Sequence, residues 1–253
     1  MNNLFSVHDK KVLVTGAAKG NGKAIAKGFA INGAELIIID KSEENLELAY
    51  KEIKSCSVNS KVTKVCLDLS DANEVENFSS NCPPVDVLIN NAGISKSNPL
   101  TSYSNKDWED TYKVNIRAPF ILTRALAKNM CSNRSGSIIN VTSLAAEQGF
   151  PENVAYVAFK GALKQFTKST ALELAKYNVR VNSVGPGYFK TDMTKKSWSD
   201  LKLRQLRTDR IPLGRWGEPD DLIGVMIFLA SSGSSYITGQ AIYVDGGWLC
   251  KGL

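Results

Sequence analysis

The sequence predicts a doubly wound α/β domain: a parallel sheet of seven strands with helices on both faces. Three observations lead there. Short runs that are apolar throughout recur along the chain, as strands covered on both sides must be. Helical patterns alternate with them from residue 11 to residue 247. No linker rich in Ser, Gly or Pro interrupts the alternation, so the expectation is one domain over residues 1–253.

Each element has its own warrant. KVLVT (11–15) is a β-branched run that ends at a glycine. Residues 20–32 set Ile25, Phe29 and Ala30 on one helical face, and Gly33 is the stop. ELIIID (35–40) is a second buried strand, and 43–54 is a charged helix. KVTKVCLDL (61–69) is a third strand, with a helix after it through Phe78. Pro83 and Pro84 break the chain before VDVLIN (85–90). A long helix runs from about Asp107 to Met130, and SGSIINVTS (135–143) is a strand. A second long helix covers 153–177, and VRVNSVGPG (179–187) is a strand ending in a turn. Residues 218–231 are helical, and QAIYVDGG (240–247) closes the sheet. The exception is 188–217, which carries charge, tryptophan and proline without a period. An insert of that length in a compact domain is usually functional.

Composition removes several kinds of chemistry. The single histidine, His8, excludes a Ser-His-Asp hydrolase with a mid-chain base, a multi-histidine zinc site and a facial-triad iron site. No metal is required. No apolar run reaches the length of a membrane span, and the first residues, MNNLFSVHDK, do not read as a secretory signal. The five cysteines, at 56, 66, 82, 131 and 250, contain no C-x-x-C pair. The reading is reduced, mostly buried thiols in a cytoplasmic protein. A net charge of +6 comes from 31 basic and 25 acidic residues that are largely interspersed, which is a mixed solvated surface. Neither a basic groove with stacking aromatics nor a reading helix is evident, so no nucleic-acid partner is expected.

Between the first strand and the first helix lies Thr15-Gly16-Ala17-Ala18-Lys19-Gly20-Asn21-Gly22. Glycines there permit a tight turn and let a pyrophosphate approach the backbone. The helix start then offers free N–H groups and the positive end of its dipole. A plain tight turn is the alternative. Asp40, at the end of the second strand, adds an acidic group able to accept hydrogen bonds from an adenosine ribose, as in Rossmann domains. It can also serve as a helix cap, a role open to Ser42 too.

Further motifs follow in order: Asn90-Asn91-Ala92-Gly93, Asn115, Ser143, Tyr156-x-x-x-Lys160 and Pro186-Gly187. With the glycine loop, they make nearly the whole chain resemble the short-chain dehydrogenase/reductases in their form of about 250 residues. Asn21 departs from the pattern, standing where the family usually has an apolar residue. The resemblance implies a nicotinamide dinucleotide held by Gly16, Lys19, Gly20, Asn21, Gly22, Asp40 and Lys41 at one end. It also implies that Asp68 and Leu69 border the adenine and that Asn91, Ala92 and Gly93 line the ribose. Pro186, Gly187, Phe189 and Thr191 then belong to the cofactor contacts, with Thr191 at the carboxamide. Asp68 can equally cap the helix after it.

Tyr156 and Lys160 are four residues apart and share a helix face. A nearby ammonium stabilises a phenolate, and a tyrosine so tuned exchanges protons near neutrality. The resemblance assigns the proton to Tyr156 and the orientation of the substrate oxygen to Ser143. It assigns to Lys160 the tuning of Tyr156 and the nicotinamide ribose, and to Asn115 a water that relays protons. The implied activity is hydride transfer between a nicotinamide cofactor and a secondary alcohol or ketone. Asp40 would repel a 2′-phosphate and favours NAD, whereas Lys19 and Lys41 leave NADP open.

Segment 190–215 holds Lys190, Lys195, Lys196, Lys202, Arg204, Arg207, Arg210 and Arg215 against Asp192, Asp200 and Asp209. It is either a solvated helix face or the cover of an anionic substrate, and in the family residues 188–217 cover the substrate. The stretches 185–191, 215–217 and 244–248 look like the gluconate and deoxygluconate dehydrogenase branch. They are also close to the 3-oxoacyl-carrier reductases. A dinucleotide-binding sensor without chemistry would be marked by loss of Tyr156 or Lys160. Family tetramers suggest a homotetramer with 107–131 and 153–177 in the interface. The stretch Trp248-Leu249-Cys250 should then lie beneath a neighbour or a sister loop.

Overall fold

The computed structural model describes residues 3–57 and 60–251. Its sheet contains β1 (Lys11–Thr15), β2 (Glu35–Asp40), β3 (Val62–Cys66), β4 (Val87–Asn90), β5 (Gly136–Val141), β6 (Val179–Pro186) and β7 (Ala241–Val244). The strand order is β3-β2-β1-β4-β5-β6-β7. Every pairing is parallel. The chain therefore winds outward from β1 to one edge, returns, and winds to the other from β4. That reversal opens a crevice beyond the carboxyl ends of β1 and β4.

Helices cover both faces. They are α1 (Gly20–Ile31), α2 (Glu43–Cys56), α3 (Ala72–Asn81), α4 (Asn105–Tyr112), α5 (Ala118–Ser132), α6 (Val154–Leu174), α7 (Lys195–Ser199), α8 (Leu201–Thr208) and α9 (Ile223–Ala230). Strand alternation divides the core between the faces. Val12 and Val14 join Ile25, Phe29 and Met226 on one side. Leu13 joins Leu122, Leu126 and Val75 on the other.

Three readings need correction. β3 is not apolar throughout, because it is the sheet edge, and Thr63, Lys64 and Cys66 are exposed. The long helix expected over 107–130 is broken by a π-helical turn at Lys113–Arg117. Pro119 accounts for it, since this residue has no N–H to reach the Asn115 carbonyl in an α-helical pattern. The cysteines are not mostly buried: Cys56, Cys66 and Cys250 are exposed, at a helix end, the edge strand and the C-terminal turn. All five are unpaired. Segment 188–217, aperiodic as a whole, includes the two short helices α7 and α8.

A buried polar chain ties the middle of the sheet to its helices. The Asn90 amide donates to Asn140 Oδ1 at 2.8 Å, and the Asn140 amide donates to Thr167 of α6 at 2.9 Å. Buried amides without such partners would each cost about 1–3 kcal/mol. The chain thus fixes where β4, β5 and α6 stand relative to one another, directly beneath the functional residues.

Candidate active site

The glycine turn is built from both ends. Gly16 has φ +65°, a conformation that a side chain would strain. A β-carbon at Gly22 would lie 2.1 Å from the Gly16 carbonyl oxygen, so the helix start can close on the turn only without one. Thr15 Oγ1 receives the Asn91 and Ala92 N–H groups at 3.0 and 3.1 Å. The Asn91 side-chain amide donates to the carbonyls of Thr15 and Gly16 at 2.9 and 3.2 Å. Asn91, read from the sequence as a ribose contact, acts here as the clamp between the end of β4 and the glycine turn.

The turn has the properties of an anion cradle. Lys19 gives α1 no side-chain cap, and no acidic residue sits in its first turn. The helix start is therefore left with unneutralised N–H groups and a positive dipole end. The Asn21 side-chain oxygen in the same turn is buried without a partner. Asp40 closes the cradle: its carboxylate accepts from the Ala18 N–H at 3.3 Å and from the Ser42 N–H at 3.1 Å. Asp71, not Asp68, caps α3, accepting from the N–H groups of Asn73 and Glu74. That frees Asp68, at the end of the β3 segment, from the capping role. Its carboxyl lies below the usual range: partial burial raises it, but the Ser70 N–H at 2.8 Å and neighbouring Lys41 prevail.

Thr191 packs against Gly20, within 3.3 Å of where a β-carbon there would lie, so segment 188–217 reaches back over the glycine turn. Pro186 ends β6 beside β7, and Gly187 follows, close against Asp245. Leu69 and Phe189 point into the two core clusters, and Phe189 packs against Gly217. Lys41 is exposed beside these groups. A glycine cradle with an uncapped helix start and an acidic residue on the adjoining strand end fits a dinucleotide.

The second cluster lies at the ends of β4 and β5. Ser143 follows β5, and its hydroxyl accepts from the Ala145 N–H at 3.2 Å, holding a one-turn helix. Tyr156 and Lys160 lie on α6. The Lys160 ammonium is buried and donates to the Val141 carbonyl, the last of β5, at 2.7 Å. It stands 5.7 Å from the Tyr156 ring centre. Asn115, wholly buried in the π turn, exchanges two hydrogen bonds with the backbone of Ile94, at 2.9 and 3.0 Å. A β-carbon at Gly93 would lie 3.3 Å from both Asn115 Oδ1 and Lys160 Nζ. Gly93 is thus the gap across which Asn115 and Lys160 meet.

Electrostatics depart from expectation. Burial pushes Lys160 down to about 8. Burial also raises the Tyr156 phenol, with the Ser143 hydroxyl pulling the other way. The expected lowering of Tyr156 by Lys160 is not seen. The reason is that the ammonium points at the Val141 carbonyl and is itself desolvated.

Sequence reading missed an aromatic cluster over this region. Tyr188 packs on Trp216 and Trp248 with ring centres 5.1 and 4.9 Å apart, and Trp198 packs on Trp216 at 5.2 Å. Leu144, next to Ser143, belongs to the same cluster. In the linear chain the tryptophans register only as breaks in periodicity. Trp248 is covered by its own chain, and its indole N–H donates to Gln148 at 2.8 Å.

The description enoyl-(acyl carrier protein) reductase belongs to the family profile that matches residues 16–249. The chain is a short-chain dehydrogenase/reductase. It is 37% identical over 253 residues to the 5-keto-D-gluconate 5-reductase of Escherichia coli (strain K12), covering 98% of this chain and 99% of that one. It is 40% identical over 242 residues to the 3-oxoacyl-acyl-carrier-protein reductase of Thermotoga maritima, covering 94% and 97%. Among solved structures, a gluconate 5-dehydrogenase from Burkholderia cenocepacia in complex with NADP and tartrate superposes with a TM-score of 0.91. That structure is 32% identical and covers 98% of each chain. The short-chain dehydrogenase/reductases are NAD(P)-dependent oxidoreductases.

The buried Lys160 has a consequence for stability. Its folded value lies below the ordinary 10.5, so the charged form costs folding free energy in full below about pH 8. As pH rises from about 8 to 10.5, the unfolded chain holds the proton longer than the folded one, and the cost fades. Relative to Lys160→Met, wild type should therefore gain stability on the order of 2–3 kcal/mol between about pH 7.5 and about pH 10. Urea unfolding of both proteins at the two pH values checks this. Parallel pH profiles would refute it.

Proposed function

We propose that the chain interconverts a secondary alcohol and a ketone on a sugar, polyol or sugar acid, with sugar acids favoured. The carrying observation is the meeting of Ser143, Tyr156, Lys160 and Asn115 at the strand ends beside the glycine cradle. Bound in that cradle, a nicotinamide dinucleotide supplies the hydride chemistry. Tyr156 carries the proton at its hydroxyl, and the Ser143 hydroxyl holds the substrate oxygen beside it. Lys160, 5.7 Å from the Tyr156 ring centre, is the positive charge available to a phenolate formed there. Asn115 fixes the backbone at Ile94, from which a proton path can leave. The domain is one unit over 1–253, with 188–217 as the substrate cover.

A sugar-acid substrate is supported by the Escherichia coli and Burkholderia cenocepacia relatives. The Thermotoga maritima relative favours a second reading, a 3-oxoacyl-thioester reductase. A panel of sugar acids, polyols and 3-oxoacyl thioesters with each dinucleotide, followed by the absorbance of reduced nicotinamide, separates the two. Free thiols suit a reducing cytoplasm, and among the described residues no helix is long and apolar enough to cross a membrane.

We assign the α5 and α6 faces to subunit contacts in a homotetramer. A groove of about 480 Å³ runs between them, with Phe120, Ala127, Phe166 and Leu174 beside Arg124, Lys128 and Glu173 in its lining. Sedimentation at micromolar protein should give a tetramer, and a monomer would remove this reading. Tyr156→Phe should leave dinucleotide binding intact and lower kcat by roughly 100- to 10,000-fold, the usual worth of a positioned proton donor. Turnover within about threefold of wild type would refute the role.

Wild type should prefer NAD(H). The reading is supported by the Asp40 carboxylate at the end of β2 beside the glycine turn, which would repel a 2′-phosphate, and by Lys19, which is engaged by Asp192 at 3.8 Å. The NADP in the Burkholderia cenocepacia structure makes this a real contest. Asp40→Ser should move the ratio of kcat/KM values toward NADP(H) by at least about tenfold, since a nearby like charge costs more than about 1.4 kcal/mol. A wild type already better with NADP(H) would show that the lysines prevail.

A further inference from the structure

The cations of segment 190–215 are not equivalent. Lys190 pairs with Glu218, and Arg215 pairs with Asp221 at 2.7 Å. Lys195, Lys196 and Lys202 are exposed. Arg204, Arg207 and Arg210 meet no carboxylate among the described residues. They lie on rings instead: Arg204 over Trp198 at 4.9 Å, Arg207 over Tyr188 at 4.9 Å and Arg210 over Trp248 at 4.7 Å. Of the three, only Arg207 has a buried guanidinium nitrogen, Nη1, without a hydrogen-bond partner.

Its position decides what that nitrogen is for. Tyr188, the ring beneath Arg207, follows the turn at the end of β6. β6 pairs with β5, and the Thr142 N–H, one residue before Ser143, donates to the Val184 carbonyl at 2.8 Å. Leu144, one residue after Ser143, packs in the cluster to which Tyr188 belongs. Thr208, the neighbour of Arg207, accepts from the Trp216 indole N–H at 3.1 Å and anchors the helix over those rings. Arg207 therefore lies on the aromatic cluster that Leu144 joins to the end of β5. A buried donor without a partner is costly, and a guanidinium does not shed its charge on burial as an ammonium can. Stacking on the ring offsets part of that cost and fixes the fork in place. What remains is one donor nitrogen that no group of the chain satisfies.

We propose that Arg207 is the specificity residue that receives the carboxylate of a hydroxy-acid substrate. This rests on the dehydrogenase reading above and deepens it. The other stacked arginines flank the site and do not contact the acid. The phosphates of an acyl carrier are the competing anion, and the smaller carboxylate is favoured because the open donor is buried beneath the lid.

Two measurements test the proposal, one of which needs no turnover. The first titrates tartrate, a small hydroxy-dicarboxylate, into the full chain while following tryptophan fluorescence, since Trp198, Trp216 and Trp248 surround the site. A saturable change in wild type and in Arg204→Gln, weakened at least about tenfold in Arg207→Gln, is expected for loss of a charge-assisted bond. No saturable change in wild type, or equal binding by Arg207→Gln, overturns the proposal. The second compares sugar acids with their neutral polyols as substrates. Arg207→Gln should raise KM for the acids about 10- to 100-fold at nearly constant kcat and leave the polyols unchanged, with Arg207→Lys recovering part of the loss. Equal loss on acids and polyols would mean a structural role and overturns it, as would a loss confined to 3-oxoacyl thioesters. If no alcohol is oxidised but tartrate binding still depends on Arg207, the dehydrogenase reading fails and the anion site stands.

Discussion

The buried ammonium of Lys160 holds this site together, and most of the surrounding structure follows from where it must be. It donates to the Val141 carbonyl, so α6 is tied to the last residue of β5. That contact sets Tyr156, one turn earlier, beside Ser143. It also needs space, which Gly93 provides by having no side chain, and Asn115 meets Lys160 across the same gap. The Asn90–Asn140–Thr167 chain one layer below keeps β4, β5 and α6 in register, so the ammonium does not have to do so alone. An unpaired charge in such surroundings is expensive, and the fold responds by holding Lys160 well below its ordinary value.

The dinucleotide end obeys a different constraint. There the protein offers backbone rather than side chains, so its problem is keeping a glycine-rich turn from collapsing. Asn91 and Thr15 solve it by bonding the end of β4 to the end of β1, and Asp40 does the same from β2. Three neighbouring strands thus share the turn. A parallel sheet whose order reverses at β1 and β4 suits such a turn, because the strand ends that must cooperate are adjacent.

How much of this was legible in the sequence depends on whether the signal was local. Six of the strands announce themselves as apolar runs, and helical spacing puts Tyr156 and Lys160 on one face, although it is the family resemblance that gives them roles. Asp40 is legible because it ends a strand. The π turn at Asn115 was hidden by periodicity, which reads straight through a single bulge, although Pro119 carried its cause. Nothing in the linear chain reveals that the Asn91 side-chain amide is engaged by the glycine turn, a role that stands beside the ribose contact expected of this residue. Leu69 and Phe189 are similar, since a motif position does not say which way a side chain points. The aromatic cluster was beyond reach. Residues 188, 198, 216 and 248 have no common period, and only the folded lid brings them together.

The buried Lys160 and the half-buried Arg207 answer the cost of burial in opposite ways, and the difference fits their chemistry. Lys160 is an ammonium, and an ammonium can relieve its burial by giving a proton up, as its fall to about 8 reflects. A guanidinium has no such exit. Arg207 is kept charged, and the relief the fold supplies is the face of Tyr188 beneath it. Aromatic faces are attractive to a cation without neutralising it, unlike the carboxylates that hold Lys190 and Arg215 elsewhere in the same segment. A lid whose cations were all paired would present a mouth with no preference for an anion. Acids hold Lys190 and Arg215 while rings carry Arg204, Arg207 and Arg210, so the stacked arginines keep a charge that an anionic substrate can still use.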